Sequence, residues 1–139
     1  QGRIWFCGRK AHMCNSGDET YYSVKVEYCF SGLAGINRVA LVNISLNGQK
    51  VLALCIEPTQ RFMSPTARRT IVTDIVQVAR RYRIPLRVIA FHARQFPVDK
   101  RHHAKIERHL LAKWVQDSLT RLRCNWAIYH VSMTNIAAR

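Results

Sequence analysis

The 139-residue sequence predicts an α+β domain with a mixed sheet, on three observations. Asn47-Gly48 sits between two apolar runs, as a two-residue β-hairpin turn requires. The run that follows, "VLALCI", is apolar at consecutive positions, the pattern of a strand covered on both faces. Two long segments, 64–85 and 99–123, repeat apolar residues at helical spacing and supply layers to cover it. The expected order is βββαβαβ, with two principal helices.

Each element follows from its local pattern. "RIWFC" is a short strand or apolar lead-in, and "NSGDET" is a polar loop. In "YYSVKVEYCF", Val24, Val26, Tyr28 and Phe30 alternate with Lys25 and Glu27, which predicts a third early strand. "SGLAGIN" turns the chain into the hairpin, whose second strand ends in Glu57-Pro58. Ser64 is the expected N-cap of a helix with Pro65 in its first turn and Pro85 beyond its end. Its inward stripe is Ile71, Ile75, Val78 and Tyr82, with Arg69, Arg80 and Arg83 nearly opposite. "LRVIAFH" is a strand. "DKRHHAKIERHLLAKWVQDSLTRLR" is a long helix that buries Ile106, Leu110, Leu111, Trp114 and Val115, and exposes His102, Lys105, His109, Lys113, Gln116 and Arg123. "NWAIYHVSM" closes the sheet. The last two strands are expected to run parallel through helical crossovers.

Composition narrows the function classes. With 48% hydrophobic residues and 22% charged, the chain has enough apolar material for a core and too much for disorder. The length suits one domain spanning 1–139. No apolar run approaches the roughly 20 residues of a membrane span, and an intracellular location is expected. Residue 1 is Gln, as in a processed product or a fragment. The net charge is +14, and residues 61–139 carry 16 Lys and Arg against 4 Asp and Glu. Arginine outnumbers lysine 16 to 6, and its planar fork suits phosphate. This balance predicts a basic nucleic-acid-binding domain. Its phosphate contacts would be Arg69, Arg80, Arg81, Arg83, Lys105, His109, Lys113 and Arg123. Other protein subunits are possible partners, in a ribonucleoprotein or a larger assembly.

Five cysteines at irregular spacing argue against a disulfide framework. Cys7, His12, Cys14 and Cys29 are weak zinc candidates, because close-spaced cysteine pairs are missing. No cofactor is expected from the residue pattern.

The hairpin with a carboxylate at its second strand's end, followed by a helix and a strand, resembles the core of the restriction-endonuclease-like nucleases over about residues 20–95. The resemblance implies a DNA-binding fold and magnesium held by two carboxylates with a nearby lysine. The matching positions are Asn43, Glu57 and Thr59. Only Glu57 fits, so the resemblance implies a lapsed catalytic centre and a binding protein rather than an enzyme. The enzymatic alternative is a nuclease using Glu57, His92 and His130, each placed at the carboxyl end of a strand.

Overall fold

The structure, a computed structural model, describes residues 12–101, 105–121 and 127–132. The hairpin forms as its turn dictates. Strands β3 (Ile36–Leu46) and β4 (Gln49–Pro58) pair antiparallel from Leu46↔Gln49 to Arg38↔Glu57 and beyond a bulge at Asn37. Asn47 and Gly48 both have positive φ, 52° and 76°, which matches the right-handed twist of the strands. β5 (Leu86–Phe91) lies parallel to β4, and β6 (Ile128–His130) lies antiparallel to β5. The sheet order is β3-β4-β5-β6. The mixed α+β architecture holds, but β6 reverses the expected parallel direction.

Alternation along β4 explains the layers. Leu52, Leu54 and Ile56 face one side, while Val51, Ala53 and Cys55 face the other. Helix α2 (Pro65–Arg81) covers the first side with Ile71, Ile75 and Ala79. Helix α3 (Arg108–Thr120) covers the second with Leu111 and Val115. In β5 the register shifts at Arg87, so Leu86 and Val88 end on opposite faces despite their even spacing.

The segment expected as a third early strand is instead helix α1 (Ser23–Phe30). Ser23, Val26 and Phe30 are buried, at offsets 0, 3 and 7, whereas Val24 and Tyr28 are 50% and 80% exposed. The same valines satisfy both periods, and burial beside α2 selects the helical one. The expected polar loop is the turn of a small hairpin, β1 (Met13–Ser16) and β2 (Glu19–Tyr22). An amide latch holds it to the main sheet: Asn43 accepts from Asn15 N at 2.7 Å and donates to Asn15 O at 2.8 Å.

Helix α2 carries the punctuation its sequence promised. Ser64 Oγ accepts from Ala67 N at 3.1 Å. Ser64→Ala should therefore cost about 1 kcal/mol in urea denaturation; no measurable loss would mean water replaces the cap. At the other end Arg83 adopts φ 54°. Its N–H donates to Arg80 O, and Ile84 N donates to Ala79 O, closing the helix with the two bonds of a Schellman motif. Tyr82, expected on the inward stripe, is 56% exposed, and Ala79 takes that place in the core.

Helix α3 starts at Arg108, later than the pattern suggests. Residues 97–99 fold back on 105–107 first: Val98 bridges Ile106, Asp99 N donates to Lys105 O, and Glu107 N donates to Pro97 O. Leu110 is 45% exposed rather than inward. Gln116, expected in solvent, bonds both backbone groups of Ser45 and so closes the free edge of β3.

Candidate functional site

The carboxyl ends of the parallel pair β4 and β5 define the best-built polar site. Glu57 is the one charged side chain buried among the described residues, at 4% exposure. Arg38 lies directly across the hairpin and donates Nε and Nη2 to Oε2, at 3.2 and 2.7 Å. Phe96 N donates to the same oxygen at 2.6 Å, and Asn37 Nδ2 donates to Oε1. Burial works against the charged carboxylate, but Arg38, the Phe96 N–H and Asn37 outweigh it and hold its pKa below the ordinary value of 4.5. The carboxylate thus fastens the segment after β5 to the sheet edge.

Outside Glu57 lies an open cleft of about 520 Å³, lined by Asn37, Thr59, Arg61, His92, Arg94 and Gln95 among others. His92 N donates to Ile56 O at 2.8 Å. The His92 ring sits edge-on to Trp114, centroids 4.8 Å apart, and its Nδ1 donates to Arg94 O at 2.7 Å. The folded-back ladder carries Lys105, which is exposed. A second buried-edge ion pair fixes the start of α3 there. Arg108 grips Glu27 with Nε at 2.9 Å and Nη2 at 2.7 Å, and Glu27 also accepts from Leu41 N.

The sequence-based candidates scatter. Glu57 and His92 share one edge. His130 pairs with Val88 on the antiparallel β6, so it lies toward the opposite end of β5, roughly four residues or about 13 Å along the strand. The trio Glu57, His92 and His130 does not converge. Asn43 pairs with Leu52, five positions back from Glu57, and its amide is spent on Asn15 and Val51. The nuclease geometry is therefore absent. Arg69, Arg80, Arg81 and Arg83 are exposed on or beside α2, while His109 and Lys113 are exposed on α3. His109 contacts Glu107 at 3.2 Å. Arg123 lies outside the described residues.

The zinc candidates are likewise separate. Burial pushes the Cys14 thiol up, against its contact with the Ser23 hydroxyl at 3.6 Å, and its hydrogen goes to Leu41 O. The Cys29 thiol bonds Lys25 O within α1. His12 precedes β1, and Cys7 lies outside the described residues. Among the described residues no three metal-ligating side chains cluster, and no helix is long and apolar enough to cross a membrane.

This architecture is shared with solved ligases. The anthranilate CoA ligase AuaEII, solved in complex with anthranoyl-AMP, superposes with a TM-score of 0.68 at 17% identity, over 83% of this chain and 22% of that one. That likeness establishes the fold. Closer in sequence are two olefin β-lactone synthetases. One from Stenotrophomonas maltophilia is 37% identical over 120 residues, and one from Xanthomonas campestris pv. campestris is 35% identical over 115. The matches take in 86% and 82% of this chain, and 21% and 20% of those enzymes. The chain thus spans about a fifth of the length of the curated relatives it matches. No protein-family model matches it.

These findings correct the functional expectations drawn from charge and topology. The relatives are synthetases and the shared fold is a ligase's, so the restriction-endonuclease resemblance is overturned. With it fall the nucleic-acid-binding and DNA-binding assignments, the nuclease alternative, the non-enzymatic reading, and the nucleic-acid or assembly partners. The physical reason for the error is that a basic surface reports affinity for anions in general. Arg38–Glu57 and Arg108–Glu27, which organise the site, are structural pairs that a count of charges hides.

Proposed function

We propose that this chain, residues 1–139, is one domain of an enzyme that activates a carboxylic acid with ATP, and that the acid is a 3-hydroxy acid closed to a β-lactone. The observation that carries this reading is the 37% identity to olefin β-lactone synthetase across 86% of the chain. The fold shared with a ligase that holds an aryl adenylate supports the activation step.

The chemistry follows from the product class. A carboxylate oxygen attacks the α-phosphorus of ATP, and pyrophosphate leaves. The 3-hydroxyl oxygen then attacks the activated carbonyl carbon, its proton passes to solvent or a base, and AMP leaves to yield the four-membered ring. ATP is a substrate here, and magnesium would travel with its phosphates. The described residues do not fit a resident magnesium site, because Glu27 and Glu57 are each engaged by an arginine.

Charge builds on the α-phosphate as the carboxylate attacks, so a preorganised cation is required. Arg38 and Arg108 are committed to carboxylates. Lys105 is exposed, and its backbone is fixed by the Asp99–Lys105 bond and the Val98–Ile106 bridge. A compact ammonium on a pinned ladder suits a single phosphate oxygen. Lys105 is the residue we propose for that contact, and His92, Arg61 and Arg94 line the cleft outside Glu57. The test is acid-dependent exchange of labelled pyrophosphate into ATP by the intact protein. Exchange with 3-hydroxy acids is the expected result, and none with any carboxylic acid would refute the reading.

A further inference from the structure

Helix α2 turns an acid-free cationic face to solvent that acid activation does not require. Arg69, Thr73, Gln77, Arg80 and Arg81 are exposed, opposite the buried Ile71, Ile75 and Ala79. Arg69 and Arg80 are eleven residues apart, which returns them to nearly the same angle about 16 Å along the axis. Asp74, the helix's one acid, is half-buried on the flank. None of Arg69, Arg80, Arg81 or Arg83 pairs with a carboxylate among the described residues.

Backbone strain marks the same patch independently. Arg83 holds φ 54° at the position where a Schellman motif favours glycine. A side chain there costs about 1 kcal/mol or more relative to a right-handed position. The chain keeps an arginine in a place where glycine would be more stable, beside Tyr82, which is 56% exposed.

We infer that this face docks on an anionic lipid surface. Guanidinium groups bind headgroup phosphates through paired donors, and a tyrosine among them suits the polar–apolar boundary. The polar residues between the arginines favour a surface without fixed partners. Thr70 and Thr73 spend their hydroxyl hydrogens on Thr66 O and Arg69 O. Apart from Gln77 and the arginines themselves, little remains on the face to read a particular protein by directed hydrogen bonds. Docking there rests on the charge and exposure of α2 alone, and it stands whether or not the proposed reaction does.

The test is co-sedimentation of the intact protein with vesicles of phosphatidylcholine alone or mixed with phosphatidylglycerol. Binding should require phosphatidylglycerol and weaken with salt. The triple variant Arg69→Ala, Arg80→Ala, Arg81→Ala should bind roughly a hundredfold more weakly. A control that removes equal charge elsewhere, Lys50→Ala, Lys113→Ala, Arg121→Ala, should stay within about threefold, since lipid charge acts only within a Debye length. Arg83→Gly should weaken binding while raising thermal stability, a combination that loss of folding cannot produce. The inference fails if wild type ignores phosphatidylglycerol, or if the two triple variants lose binding equally. It also fails if polyglutamate, and not the vesicles, is bound through these arginines.

Discussion

Glu57→Ala is expected to destabilise the protein by about 3 kcal/mol, measured by urea denaturation. Removing one partner of a buried ion pair costs about 3–5 kcal/mol, because the other partner stays behind unpaired. The lower end applies, since Arg38 is 32% exposed and can recover some water. Phe96 N and Asn37 would also lose their acceptor. Glu57→Gln keeps the shape and should cost about half as much. The pH dependence follows from the same contacts. The folded carboxyl titrates below its ordinary 4.5, so its contribution is fully present above that value. It is lost as pH falls through the folded pKa. Wild type should therefore lose stability below pH 4.5 more steeply than Glu57→Gln. Equal acid sensitivity of the two would show that Glu57 is not the fastening.

Lys105→Ala is expected to lower the rate of adenylate formation by about 10²–10³-fold, as removal of one preorganised donor to developing charge does elsewhere. Because Lys105 is exposed and its ladder bonds are made by the backbone, stability should change by no more than about 0.5 kcal/mol. Lys105→Arg should recover only part of the rate, since a planar fork does not replace a point charge. Pyrophosphate exchange reads the effect directly. An unchanged rate in Lys105→Ala would remove this residue from the site while leaving the activation reaction standing. Loss of both rate and stability would assign it to the fold instead.

Much of the architecture is written locally. Asn47-Gly48 specifies the hairpin, and the two-sided run in β4 demands layers on both faces. Ser64 and Pro65 start α2 where the chain says. The partner of Glu57 is also legible: a two-residue turn pairs residues equidistant from it, and counting back from Gly48 puts Arg38 opposite. Other features are not local. Val24 and Val26 fit a strand as well as a helix, and only the contact with α2 and the main sheet decides. The late start of α3 depends on pairing between 97–99 and 105–107, which no helical periodicity reports. The direction of β6 depends on a connection through residues 122–126, which lie outside the described residues. Function was hidden for a different reason. Phosphates of a nucleic acid, a nucleotide and a lipid headgroup attract the same cations, so charge alone cannot distinguish among them.

Oxygen tracing tests the proposed activation most directly. The 3-hydroxy acid is supplied with both carboxylate oxygens as oxygen-18, and the intact protein is given ATP. If a carboxylate oxygen attacks the α-phosphorus and the hydroxyl later displaces AMP, one labelled oxygen must appear in AMP and the other in the lactone carbonyl. Label in inorganic phosphate, with ADP as the nucleotide product, would place attack at the γ-phosphorus and contradict the account. Unlabelled AMP would contradict it as well, because the nucleotide would then have been cleaved by water.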